Sequence, residues 1–120
     1  MKKIIPAFIL LVCLGFTAKA QQSEMKQTID LADSKNHLNK VVTLCDTVYG
    51  LKIVSDTLTL LNMGGNYPHQ KFTIAVRGNK LQLDWVNLKR KHLCVTGVLE
   101  LYKNTLQITA SEPTQITVSK

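Results

Sequence analysis

Val41-Val42-Thr43-Leu44-Cys45-Asp46-Thr47-Val48-Tyr49-Gly50-Leu51-Lys52-Ile53-Val54 is an unusually long β-rich run with one glycine inside it. Ordinary strands hold about 5–6 residues, so a run of this length has to bend, and Gly50 is where a bulge or bend is cheapest. Alternation places Val42, Leu44 and Val48 on one face together with Asp46, and Val41, Thr43, Cys45 and Thr47 on the other. The stretch is therefore read as one bent first strand.

Outward from it, Ser55-Asp56 is a turn and Thr57 to Leu61 alternates Thr with Leu as a second strand. Asn62 to Gln70 is a turn-rich connector, and Lys71 to Arg77 is a third strand with Phe72, Ile74 and Val76 on one face. Gly78-Asn79 breaks the pattern, and Leu81 to Leu88 is read as an irregular or helical plug, with Trp85 and Phe72 assigned to the core. His92 to Tyr102 makes a fourth strand with Leu93, Val95, Leu99 and Leu101 inward, and Tyr102 packing at the hairpin end. Lys103-Asn104 is a tight turn, Thr105 to Ala110 a fifth strand with Leu106 and Ile108 inward, and Gln115 to Ser119 a last extended piece after Pro113. Upstream, residues 23–38 suit a short helix starting at Ser23, a good N-cap. A bent strand, a hairpin, a plug and a second hairpin imply an all-β chain: a five-stranded OB-fold Greek-key barrel with a short N-terminal helix. A small Greek-key sandwich is the alternative.

The start of the chain carries a different message. Met1-Lys2-Lys3 is basic, Ile4 to Phe16 is nearly all apolar, and Ala18-Lys19-Ala20 sets small residues at a cleavage site. This is the layout of a secretory signal peptide, cleaved before Gln21, with residues 21–120 as one domain. The apolar run is too short for a bilayer-spanning helix, and Val12 is too bulky for lipidation at Cys13. Export implies a periplasmic or secreted protein in an oxidising compartment. Loss of Lys2, Lys3 and Lys19 lowers the formal net charge from +7 to +4. The basic residues are scattered. The one run, Lys89-Arg90-Lys91, reads as a solvated turn, with an anionic-surface or nucleic-acid patch as the alternative.

Two stretches resemble a known group. Thr59 to Val76, with its Asn62-Met63-Gly64-Gly65-Asn66-Tyr67-Pro68-His69-Gln70 centre, is similar to a phrase found in exported bacterial OB-fold proteins of uncharacterised role. Cys94 to Asn104 resembles the same group's fourth strand, which ends in a Tyr-Lys-Gly turn. The chain departs from that pattern in its shortened plug, and in His69 and Asn104 where Asn and Gly are common. The resemblance implies an OB domain of the kind labelled nucleic-acid-binding by fold analogy, and it implies no activity.

Parity bears on the cysteines. Cys45 and Cys94 both fall on the Thr-rich, outward faces of the first and fourth strands, which are antiparallel neighbours in such a barrel. A structural disulfide follows, with two unpaired thiols as the alternative. A metal site is disfavoured, because no Cys-x-x-Cys pair occurs and His37, His69 and His92 are dispersed. No Gly-x-Ser-x-Gly elbow, His-Glu-x-x-His or phosphate loop is present, and Gly64-Gly65 reads as a connector needing positive φ. The expectation is a non-enzymatic binding module without cofactor, for an envelope or extracellular protein or glycan ligand. Single-stranded nucleic acid is the alternative ligand. The candidate binding residues are Tyr49, Lys52, Thr59, Tyr67, His69, Lys71 and Arg77, on the face of strands one to three beside the connector. The competing role for Tyr67-Pro68 is to fold back and cap the barrel end.

Overall fold

The computed structural model describes residues 27–29 and 31–119. The expected signal peptide and cleavage site, Cys13 and Ser23 lie outside them. The described residues form seven strands: β1 (Gln27–Thr28), β2 (Val41–Ser55), β3 (Leu58–Met63), β4 (Phe72–Arg77), β5 (His92–Tyr102), β6 (Thr105–Ala110) and β7 (Ile116–Val118). β2 through β6 are the five strands read from the sequence.

Their pairing closes a barrel. β2 pairs antiparallel with β3, β3 with β4, β4 parallel with β6, β6 antiparallel with β5, and β5 back onto β2. That order, with one parallel contact between the third and fifth barrel strands, is an OB-fold. The length of β2 is what permits it. Its first half, Val41–Thr47, pairs with β5, and Val48–Ser55 pairs with β3, with a register shift between Val48 and Gly50 at the bend. One strand thus serves both halves of the barrel.

The core follows from the inward alternation. Val42, Leu44 and Val48 meet Leu61, Met63, Phe72, Ile74, Leu93, Val95, Leu99 and Ile108, all essentially inaccessible to solvent. The plug contributes Leu81 and Leu88, which are buried, while Leu83 and Trp85 are half-buried against the same cluster. Its regular part is a single 3-10 turn, Trp85–Asn87.

Three readings need correction. The N-terminal helix is a 3-10 helix at Leu31–His37, and the residues before it do not continue it: Gln27 and Thr28 pair parallel with Val42 and Thr43 of β2. The 3-10 turn is held by Asp33, which accepts from Asn36 Nδ2 at 2.9 Å and faces His37 Nε2 at 3.4 Å. The Asn36 bond first, and then His37, hold the Asp33 carboxyl below its ordinary value. Leu101 is not inward but 54% exposed, because it pairs with Leu106 in the hairpin beyond the last buried pair, Leu99 and Ile108. Thr59 is not outward but 7% exposed. It shares the inner face with Leu61 and Met63, which pair with Ile74 and Phe72 and so set the phase of β3.

Cys45 and Cys94 stand directly opposite in the β2–β5 ladder and are bonded, Cα to Cα 4.0 Å apart. One step along the same outer face, the Thr43 and Thr96 hydroxyls share a 2.7 Å hydrogen bond.

Candidate functional site

The outer face of β3, β4 and β6 forms the floor of an open groove of about 690 Å³. Cross-strand register builds that floor in rows. Asn62, Thr73, Gln107 and Glu100 make one row, Leu60, Ala75 and Thr109 the next, and Leu58 with Arg77 a third. Thr73 and Ala75 are buried at the bottom. The floor therefore mixes hydrogen-bonding and apolar side chains, with small ones down its middle and two charges at its edges, the Glu100 carboxylate and the Arg77 guanidinium.

Two walls rise from it. One is the connector, whose Tyr67 is 73% exposed and whose Tyr67-Pro68 bond is cis. Gln70 ties that wall to the floor by donating from Nε2 to Thr73 Oγ1 at 3.0 Å, and its Oε1 is buried without a hydrogen-bond partner. The other wall is the β5–β6 hairpin. Lys103 and Asn104 both adopt positive φ, 51° and 66°, the backbone that a two-residue type I′ turn requires. This turn presents Tyr102, 55% exposed, with Lys103 Nζ 5.4 Å from its ring centroid. Tyr102 does not pack away at the hairpin end; it lines the groove.

The connector is shaped by its glycines. Gly64 has φ 76°, and a Cβ there would lie 2.8 Å from both Asp46 Oδ2 and Lys71 Cδ. Gly65 allows the loop to approach its own backbone, since a Cβ would lie 2.8 Å from the His69 carbonyl oxygen. Gly64 N–H donates to Thr47 O and Lys71 N–H to Met63 O, which pins both ends of the loop to the barrel.

Of the seven residues named from sequence, the groove gathers Tyr67 and Arg77. Lys52 extends the Leu60 row on the same face, exposed at the groove's margin. Tyr49 lies instead in a second pocket of about 440 Å³ with Thr47, Val48, Asn66, Lys89 and Arg90. His69 is exposed on the connector and Lys71 lays its stem against Gly64, so neither lines the groove. Thr59 faces inward. Sequence reasoning missed Tyr102, Lys103, Thr105, Gln107, Thr109 and Glu100. All lie on β5, on β6 or in the turn between them, and the β4–β6 contact that brings them to the groove joins residues far apart in the chain. The tyrosine before a Lys-Asn turn was the available signal.

Among the described residues no group of three or more His, Cys, Asp or Glu side chains is placed to hold a metal ion. No helix there is long and apolar enough to cross a membrane.

No protein-family model matches the sequence, nor does any curated protein. Solved structures do. The chain is similar to Entamoeba histolytica asparaginyl-tRNA synthetase in complex with asparaginyl-adenylate, with TM-score 0.57 and 20% identity over 78% of this chain. A second structure of that synthetase gives TM-score 0.56 and 22% identity over 80%, and the aspartyl tRNA synthetase of the same organism 0.53 and 13% over 81%. The matches span only 23%, 24% and 23% of those chains. At these identities the likeness shows a shared fold.

Proposed function

We propose that this chain is a non-enzymatic OB-fold binding module whose groove takes single-stranded nucleic acid. The observation that carries the reading is the groove's position and walls. OB-folds bind extended polymers across their second and third strands and the loop between the fourth and fifth. Here those elements are β3, β4 and the β5–β6 hairpin; the hairpin presents exposed Tyr102, and the connector joining β3 to β4 presents exposed Tyr67 on the opposite wall. Bases stack on such rings irrespective of sequence, while Arg77, Lys103 and marginal Lys52 supply cations for the backbone. The structures of like fold belong to tRNA synthetases, which fits the same ligand class.

The test is fluorescence anisotropy with an oligothymidylate and an oligouridylate at low and high salt. Tyr102→Ala is expected to weaken binding by about 1–3 kcal/mol, roughly 5- to 150-fold, and to leave the melting temperature nearly unchanged. Arg77→Ala should reduce the salt slope by about 0.7. Absence of saturable binding to either strand overturns the reading.

A second reading keeps the groove and changes the polymer. The uncharged floor side chains Asn62, Thr73, Gln107 and Thr109 also suit sugar hydroxyls, and the leader-like Met1–Ala20 stretch together with the Cys45–Cys94 bond suits an exported module acting on an envelope or extracellular ligand. In that setting the chain belongs with the exported OB-fold proteins it resembles, in the periplasm or secreted. Intact mass of protein from an oxidising host should then begin at Gln21, and a retained leader would count against export. A glycan that saturates while both oligonucleotides fail would select this reading.

A further inference from the structure

We propose that the pocket between the Lys89–Arg90 turn and the bend of β2 is an anion site that takes a phosphate group. It is lined by Thr47, Val48 and Tyr49, by Asn66 of the connector, and by Lys89 and Arg90. Every polar side chain among these has a proton to donate, and none is a carboxylate. The carboxylate adjacent in sequence, Asp46, lies beside Gly64 and accepts the Thr47 N–H at 2.7 Å. Among the described residues the salt bridges are His37–Asp33 and Lys80–Glu112, so Lys89 and Arg90 line the pocket with no carboxylate of those residues paired to them.

The turn that carries them is fixed. Arg90 N–H donates to Val48 O at 2.7 Å, Val48 N–H to Lys91 O at 2.9 Å, and Lys91 N–H to Leu88 O at 3.0 Å, with Leu88 buried in the core. Arg90 sits at φ 78°, a conformation that Gly or Asn adopts with less strain. The two cations are therefore presented from a pinned backbone. A guanidinium fork beside an ammonium, a phenol and an amide matches a phosphate's tetrahedral oxygens.

The pocket also has a position relative to the groove. Asn66 lines the one and Tyr67, its chain neighbour, lines the other. A terminal phosphate on a strand lying in the groove would reach the pocket by crossing the connector. That last step rests on the single-strand reading; the anion site itself does not.

The experiment is a titration of 15N-labelled protein with inorganic phosphate at constant ionic strength, followed by amide shifts. Saturable shifts confined to Tyr49, Asn66, Lys89 and Arg90 are expected. The double substitution Lys89→Gln, Arg90→Gln should raise the half-saturating concentration roughly ten-fold or more, and Lys35→Gln on the 3-10 helix should not. If the double variant fails to fold, Tyr49→Phe carries the test by removing one hydroxyl, and it too should weaken binding. Shifts spread over all lysines, lack of saturation, or equal affinity in the variants overturn the site. A second arm compares 5′-phosphorylated with unphosphorylated oligothymidylate. Tighter binding of the phosphorylated strand, lost in the double variant, supports the shared path. Saturation by phosphate with no binding of either strand upholds the pocket and removes the nucleic-acid reading of the groove.

Discussion

Replacing Cys45 and Cys94 together by alanine is expected to cost the barrel about 3–4 kcal/mol, lowering its melting temperature by roughly 15–25 °C. The bond closes a segment with a sequence separation of 49 residues, and for such a loop the chain-entropy model gives about 4 kcal/mol. The loss falls mainly on the unfolded state. Both cysteines are half-buried on the outer face, so their removal opens no cavity among the core side chains. The register Val41–Thr47 against His92–Val98 is set by the inward pairs on either side, Leu44 with Val95 and Asp46 with Leu93, so the variant should refold to the same pairing. Denaturation with and without reductant is the measurement. Wild-type protein should drop to the level of the double variant on reduction, and the variant itself should not respond. A difference below about 1 kcal/mol would mean that β2 and β5 stay associated in the reduced, denatured chain.

The cystine was legible from sequence because it depended only on period-two alternation in strands with one buried face. Val42 and Leu44 inward put Cys45 outward; Leu93 and Val95 inward did the same for Cys94. The same logic failed at Thr59, where both faces of β3 are covered. Leu58 and Leu60 sit half-buried under the groove while Thr59, Leu61 and Met63 fill the inner face, so the Thr-Leu alternation pointed the wrong way. It also ran one step too far at Leu101, past the end of the buried pairs. The groove itself was half legible. Tyr67 and Arg77 lie on the connector and third barrel strand, whose local patterns were plain, but the opposite wall depends on parallel pairing of Thr73–Val76 with Gln107–Ala110. Nothing in either segment announces that partner. The helix was displaced for a related reason: residues 27–28 have a non-local partner in β2 that local propensity does not contain.

Gln115→Ala should destabilise the protein by about 2–4 kcal/mol, a large effect for a half-buried polar residue after a proline turn. The cause is a seam in the barrel. β5 pairs with β6 only from Leu99 onward and with β7 only from Leu93 to Val95, so its edge between those stretches has no ladder partner among the described residues. Gln115 fills the gap. Its Nε2 donates to Thr96 O at 3.0 Å and to Thr109 O at 3.2 Å, joining β5 to β6. Its Oε1 accepts from Ser111 N–H at 2.8 Å and Glu112 N–H at 3.0 Å, fixing the turn that leads into β7. Gly97 leaves the space for this amide, since a Cβ there would lie 3.3 Å from Gln115 Nε2 and 2.7 Å from Ile108 Cγ2. Removing the amide strands four backbone groups, and solvent reaching the half-buried seam offsets only part of that cost. Gln115→Glu separates bonding from volume. It keeps the two bonds to Oε1 but sets a carboxylate oxygen against the carbonyls of Thr96 and Thr109, so it should be at least as damaging as alanine at neutral pH. Protonation would restore a donor, so acidification towards the carboxylate range should narrow the gap between Gln115→Glu and wild type. Urea midpoints at neutral and mildly acidic pH read this directly, and a Gln115→Glu protein as stable as wild type at neutral pH would refute the seam argument.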